Sequence, residues 1–218
     1  MISFDYRGRK YHIEPVSDID HIGRVIAKRG AFYEIEMLED MAASLKPGAV
    51  VYDIGANFGN HTIYLAGICK AWVKAFEPCA QLVMALINNL YINGLYDYVC
   101  VYPFAVGSVC GRGDSLVISD KNMGLSKFEI SDQGYTRIIT IDSLGEKSVD
   151  CMKIDVEGME LDVLKGAEKT IRKHKPLLYV EIIGDEDLRE ITQYLKSLGY
   201  ERTKRFLEIS TPTYKFER

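Results

Sequence analysis

Three apolar tracts punctuate the chain, Ala49 to Ile54, Asp150 to Ile154 and Pro176 to Ile183, and each ends in polar or glycine residues. Short runs of this kind read as strands buried on both faces. Around them the apolar period lengthens to three and four. The stretches are Asn60 to Lys70, Leu82 to Asn93 closed by Gly94, Met159 to His174 closed by Pro176, and Asp185 to Leu198 closed by Gly199. In the third, Leu161, Leu164, Ala167 and Ile171 recur at helical steps, and Arg172, Lys173 and Lys175 gather where a helix dipole is negative. Two shorter strands, Trp72 to Phe76 and Tyr98 to Tyr102, complete a strand-helix alternation. That rhythm predicts an α/β fold, an open and mostly parallel sheet with helices on both faces.

Two regions break the rhythm. Residues 1–45 offer a hairpin around Arg7-Gly8-Arg9 and then helical stretches from Asp18 to Lys28 and from Phe32 to Leu45, which reads as a cap beside the sheet. Residues 46–218 then form the main domain. Within it, residues 114–140 read as an antiparallel insertion, with strands Ser115 to Ser119 and Tyr135 to Thr140 and a turn at Lys121-Asn122-Met123-Gly124.

Composition narrows the class. The chain has 218 residues, 47% of them hydrophobic and 27% charged, which suits one globular α/β unit and excludes disordered and fibrous proteins. Lys and Arg number 27 against 31 Asp and Glu, a net of -4, and no basic run tracks a phosphate backbone, so nucleic acid is not an expected partner. The five cysteines, at 69, 79, 100, 110 and 151, lack the paired close spacing of a zinc site or disulfide framework. Reduced thiols, no apolar leader in Met1 to Tyr11 and no long apolar segment together predict a cytoplasmic protein.

The residues Val50-Val51-Tyr52-Asp53-Ile54-Gly55-Ala56-Asn57-Phe58-Gly59-Asn60 run from a strand through a glycine turn into a helix. Open α/β sheets bind ligands at such carboxyl ends of strands, where Gly55 and Gly59 would let backbone approach a ligand. A dinucleotide fingerprint needs glycine where this chain has Asn57 and Asn60, which argues against NAD. No Gly-Lys-Ser or Gly-Lys-Thr follows, so a P-loop fails as well. Two acids remain, Asp53 at this tip and Glu77 at the next, in Ala75-Phe76-Glu77-Pro78. A carboxylate at Glu77 accepts from ribose hydroxyls, and Asp53 beside an amino group suits a ligand with adenosine at one end and an amino acid at the other. S-adenosylmethionine is that ligand. Taken singly, Asp53 also reads as a helix cap and Glu77 as a solvated loop acid.

Further motifs join these: Ala105-Val106-Gly107, Thr140-Ile141-Asp142-Ser143-Leu144, Lys153-Ile154-Asp155-Val156-Glu157-Gly158-Met159-Glu160 and Leu164-Lys165-Gly166-Ala167. With Asp53 to Gly59 and Phe76-Glu77-Pro78 they resemble the FkbM family of S-adenosylmethionine-dependent methyltransferases, from about Phe32 to about Ile183. The resemblance implies a class I methyltransferase sheet, Rossmann-like, of seven strands with a reversed last hairpin, for which Tyr200 to Arg205 and Thr213 to Glu217 are available. It also implies O-methylation of a hydroxyl on a small-molecule acceptor, a sugar or secondary metabolite. The expected cofactor-binding residues are Tyr33, Glu34, Asp53, Gly55, Ala56, Asn57, Gly59, Asn60, Thr62, Glu77, Pro78, Ala105, Val106 and Asp155. Phe32-Tyr33-Glu34 would cover the cofactor, and Ala105 and Val106 would line the adenine pocket.

Lys153, Asp155 and Glu157 alternate along one face of a strand whose other positions are apolar. Burial of such charges is costly, so they belong at or beyond the carboxyl end of the sheet, with Glu181 near the tip of the next strand. Asp155, Glu157 and Glu181 are the expected catalytic carboxylates, one of them removing the hydroxyl proton. The competing reading has Asp155 ordering the cofactor, Glu157 paired with Lys153 and Glu160 supporting a helix start. No ligand spacing calls for a metal. His61, just after the glycine turn, reads as a packed or backbone-bonded histidine more readily than as a base. Asn122 and Ser126 are candidates to face the acceptor. An N-methyltransferase is disfavoured because Asp155-Val156-Glu157 stands where those enzymes carry Asn/Asp-Pro-Pro-aromatic; a cofactor-binding protein without turnover is the non-enzymatic alternative.

Overall fold

The structure, a computed structural model, describes residues 1–17, 20–117, 126–207 and 211–218, with backbone alone for 115–117 and 126–130. Its centre is a set of parallel strands that are apolar because both faces are covered. They are β3 (Val50–Ile54), β4 (Trp72–Phe76), β5 (Val99–Tyr102), β10 (Cys151–Ile154) and β11 (Leu177–Glu181). The hairpin β12 (Glu201–Phe206) and β13 (Thr213–Glu217) adds to the edge, β13 running antiparallel to β11. The order is β12-β13-β11-β10-β3-β4-β5, so the chain leaves β3 toward one edge and later returns on its other side at β10. A crevice opens at such a switch point. In register, Lys153 stands beside Asp53 on one side and Tyr179 on the other.

Alternation along the strands divides the core into two layers. Val51, Val73, Ala75, Cys151 and Tyr179 pack with α2 (Ile35–Ser44), α3 (Asn60–Gly67) and α4 (Ala80–Ile92). Tyr52, Ile54, Phe76, Met152, Leu178 and Val180 pack with α5 (Glu160–Gly166), α6 (Glu168–His174) and α7 (Asp185–Ser197).

The N-terminal hairpin, β1 (Ile2–Tyr6) and β2 (Arg9–Ile13), docks on the first layer through Phe32. That ring meets Phe4, Tyr11 and Tyr64 edge-on at centroid distances of 4.9, 5.1 and 5.2 Å. Each such pair adds about 0.5–1.5 kcal/mol beyond area burial. Asn89 of α4 and Asn93, which ends that helix, tie the hairpin down by accepting from the backbone of Glu14 and His12, and Asn89 also donates to the Phe58 carbonyl in the glycine turn. After the hairpin, α1 (His21–Arg29) packs against β1, and the Asp20 carboxylate caps it by accepting from the Gly23 amide.

The expected elements are present, with differences in their bounds and pairing; the helix expected from Asp18 to Lys28, for one, is His21–Arg29. The stretch 159–174 is two helices, because Ala167 leaves the helical region at φ -111 and ψ 5. Gly166 there lies so close to the Gly107 carbonyl that a Cβ would sit 2.0 Å from its oxygen. The helix expected from Phe32 begins at Ile35, since Glu34 is left-handed at φ 55, and the one expected to reach Lys70 ends at Gly67. The insertion starts earlier than residue 114: β7 (Gly111–Val117) pairs through Gly111 to Gly113 with β9 (Thr136–Ile139) and through the rest with β8 (Ser126–Ile130). β9 in turn runs parallel to β6 (Ala105–Val106), making a small sheet of order β6-β9-β7-β8 rather than a two-stranded hairpin. Asp18, Ile19, Ser119, Asn122 and the turn at 121–124 lie outside the described residues, as does the Ser126 side chain.

Candidate active site

The glycine turn leaves β3 at Gly55, whose φ of 84 suits glycine, and a Cβ there would sit 1.7 Å from the Asp155 carbonyl oxygen. Gly59, at φ 98, would meet Leu86 of α4 at 2.5 Å. The room that a Cβ would need at these positions is therefore filled by protein, the tip of β10 and the flank of α4, so packing within the fold requires glycine at both. Asn57, at φ 52, turns its amide toward the Glu77 carboxylate, and its side chain accepts from the Phe58 amide.

Glu77 is buried, and its two oxygens accept from the amides of Asn57 and Cys79, each at 2.9 Å. Burial pushes this carboxyl up to about 7 although both amides favour its charged form. Pro78 follows it and leads into α4. Ala105 and Val106 are buried in β6.

Asp53 differs from its expected role. It is completely buried; Thr62 Oγ1 donates to its Oδ2 at 2.5 Å, and Lys153 Nζ lies 3.6 Å from its Oδ1. The amino group that Asp53 faces is thus internal. Lys153 does not stand beyond the sheet either. It is buried within β10 and donates to the Gly55 carbonyl at 3.1 Å and to Asp155 at 2.9 Å. Burial lowers the lysine's affinity for its proton, but Asp155 and Asp53 outweigh that and hold it above the ordinary value.

Asp155, Glu157 and Glu181 present oxygens that all lie within 4.8 Å of one another. Burial alone would raise Asp155, yet the Lys153 ammonium and a hydrogen bond from Glu181 keep it below the usual carboxylate range. Burial and the Asp155 charge push Glu181 up to about 10, so it keeps a proton at neutral pH, and Thr211 Oγ1 donates to its Oε1. Glu157 follows the strand in a left-handed conformation, φ 55, and burial with the charges of Asp155 and Glu160 pushes it up to about 7. Glu157 is not Lys153's partner; Asp155 is. Glu160 fixes the loop, accepting from the amides of Val156 and Gly158 on either side of Glu157. Three carboxylates this close resemble a cation cage in outline. Here Lys153 and the proton shared by Asp155 and Glu181 already answer their charge.

A second pair closes the near side. His61 Nε2 lies 3.1 Å from Glu34 Oε2, both side chains nearly buried, and Asn60 holds Tyr33 by bonding its amide and its carbonyl. Residues 33 and 34 are thereby fastened to the start of α3. Sequence reasoning missed this histidine-glutamate contact, which joins a segment before the sheet to one inside it. It also missed Thr211, a lone threonine in a loop.

A model of the methyltransferase FkbM domain matches residues 53–202 of the chain. The chain belongs to the FkbM methyltransferase family. It is similar to the hexuronic acid methyltransferase AglP of Haloferax volcanii, 30% identical over 199 residues that cover 87% of this chain and 78% of AglP. The solved structure of methyltransferase FkbM from Methylobacillus flagellatus KT matches with a TM-score of 0.58 at 18% identity, over 88% of this chain and 60% of that one. M. jannaschii TYW2 in complex with AdoMet matches with a TM-score of 0.50 at 16% identity, over 99% and 85%. At those identities the two structures attest the class I methyltransferase fold, and the family attests the enzyme class. No helix among the described residues is long and apolar enough to cross a membrane.

Proposed function

We propose that this methyltransferase moves a methyl group from S-adenosylmethionine to a hydroxyl of a sugar, with Glu157 as the base. The observation that carries the reading is the convergence of Asp155, Glu157 and Glu181 at the tips of neighbouring strands, beside the glycine turn. The residues fit the cofactor. Each Glu77 oxygen uses one acceptor site on a backbone amide and keeps another for a ribose hydroxyl. Asn57 and Pro78 frame that acid, Ala105 and Val106 offer apolar surface for adenine, and Tyr33 and Glu34 would cover the amino-acid end, whose ammonium group suits Asp155. Gly55, Ala56, Gly59, Asn60 and Thr62 support this set by shaping the turn and holding Asp53 and Tyr33.

When bound, the cofactor supplies an electrophilic methyl carbon on a sulfonium. Glu157, with its affinity for protons near neutrality, takes the acceptor's hydroxyl proton on a carboxylate oxygen. Glu181 keeps its proton in the hydrogen bond that it donates to Asp155, which fixes the pair beside the acceptor, while Asp155 stays charged against Lys153. The name of the AglP relative supports a sugar acid as acceptor class.

Isotope-labelled S-adenosylmethionine offered with a panel of glycosides, uronic acids included, tests this. Methyl ethers should appear, and Glu157→Gln should slow their formation by about 10²–10⁴-fold while cofactor affinity stays within about twofold. Cofactor binding without any ether product, or a variant at full rate, refutes the proposal.

A further inference from the structure

A cavity of about 560 Å³ opens at the outer edge of the sheet, lined by Asp185, Arg202, Thr203, Lys204, Arg205 and Tyr214. It is separate from the methyl-transfer crevice: Tyr214 packs in the layer of α7, whereas Tyr179, in step with Glu181, packs in the opposite layer. Arg202 and Arg205 stand three positions apart, so in a regular strand they would point to opposite faces. A β-bulge between Arg202 and Lys204 inserts Thr203 and turns both toward one ring. Their guanidinium carbons lie 5.3 and 6.0 Å from the Tyr214 centroid. Lys204 is committed to Asp40, but among the described residues neither arginine has a carboxylate within salt-bridge distance. Exposed edge strands often carry Lys and Arg to block pairing with other chains. That role asks for outward charge, and it does not account for a bulge that gathers two guanidinium forks on one aromatic ring beside a cavity.

We propose that this cavity binds a phosphorylated sugar, independently of the methyl-transfer reading. The paired guanidinium forks suit phosphoryl oxygens, which they can engage bidentately. With Lys204 paired to Asp40, the two arginines against the single acid Asp185 leave the lining positive. Asp185 and the Thr203 hydroxyl, which already donates to Glu217 at 2.7 Å, can accept from ring hydroxyls.

Calorimetry at low salt with glucose 1-phosphate, glucose and phosphatidic acid vesicles tests the assignment. Glucose 1-phosphate should bind, more weakly as salt rises, and glucose alone should give no heat. Arg202→Gln/Arg205→Gln should weaken binding at least about tenfold, leaving the unfolding midpoint and S-adenosylmethionine affinity unchanged. In the unaltered protein, glucose 1-phosphate should shield Arg202 and Arg205 from phenylglyoxal, as peptide mapping by mass spectrometry would show. The proposal is overturned if glucose 1-phosphate gives no heat, if the double variant binds it equally, or if labelling ignores it. Binding of the vesicles without glucose 1-phosphate also overturns it and reassigns the surface to a membrane.

Discussion

Methionine at position 153 would keep the length and apolar stem of the lysine and delete its ammonium. Three contacts would vanish, to Asp155 at 2.9 Å, to the Gly55 carbonyl at 3.1 Å and to Asp53 at 3.6 Å. Removing one partner from a buried ion pair costs about 3–5 kcal/mol, because a charge stays buried without compensation. Asp53 is fully buried and bears that cost, while the Asp155 side chain, 26% exposed, recovers part of its hydration. Lys153→Met should therefore lose about 3 kcal/mol near neutral pH, a loss that a domain of ordinary stability survives. Urea unfolding extrapolated to water measures it. The pH dependence has a definite sign. In the parent, the depressed Asp155 contributes stability above the unfolded carboxylate pKa of about 4 and loses it as pH falls through its lower native value. In the variant Asp155 loses the cation that lowers it, burial then holds its carboxyl above the unfolded value, and stability rises as the solution is acidified toward about pH 4. The gap between the two proteins must narrow in acid, and adding Asp53→Asn should recover more than half of it. A gap under about 1 kcal/mol at neutral pH, or one that widens on acidification, refutes the reasoning.

Other perturbations test neighbouring parts of the site. Gly55→Ala drives a Cβ into the Asp155 carbonyl at a positive φ and should cost about 4 kcal/mol or more; an unchanged thermal midpoint would contradict this. Glu181 keeps its proton up to about 10 while the unfolded chain releases it near an ordinary glutamate value, so it contributes less stability as pH rises through that window. Glu181→Gln retains a donor toward Asp155, and its stability relative to the parent should climb between pH 6 and 9 at a slope of up to about 1.4 kcal/mol per pH unit. A flat difference in denaturant titrations across that range would rule it out. Glu77→Gln should weaken S-adenosylmethionine binding by about tenfold or more, because one acceptor oxygen becomes a donor. In the parent, burial sets Glu77 at about 7, so calorimetric affinity should fall below that pH, and affinity indifferent to pH from 6 to 8 would refute the ribose role.

The fold was legible where burial on both faces forces a continuous apolar run. Trp72–Phe76 and Thr213–Glu217 have the expected ends, and β3, β10 and β11 fall inside the expected tracts. The insertion was harder to read because its pairing is decided by contacts at a distance. Gly111 to Gly113, with little side chain to signal a strand, joins β9, and Ser126–Ile130 alternates too briefly to stand out. In the site, the acids at the strand tips were visible as charges ending apolar runs. Their partners were not. Lys153 and Asp53 are 100 positions apart and meet only because β10 returns beside β3, so nothing local marks the lysine as buried. The same holds for His61 and Glu34, and for Glu160, whose carboxylate turns back onto two amides instead of merely favouring a helix start.

These partners explain how one sheet end tolerates so many ionisable groups. Glu77, Glu157 and Glu181 are all pushed upward, chiefly by burial, so each contributes less stability as pH rises. Asp155 moves the other way, because a buried cation is fixed beside it. Lys153 thus sorts the carboxylates: Asp155, which it touches, is held in its charged form, while Glu77 and Glu157, on which it acts only from a distance, are left near neutrality. A ligand that hydrogen-bonds to ionised Glu77 would relieve one of the unfavourable titrations, whereas Glu157, as the proposed base, would have to stay poised between its two forms. Without the lysine, Asp155 would compete for the proton it shares with Glu181, and the separation between a fixed anion, a proton holder and the proposed base would collapse. The buried ammonium therefore sets the charge state of the site as much as the stability of the sheet, although it touches neither Glu77 nor Glu157.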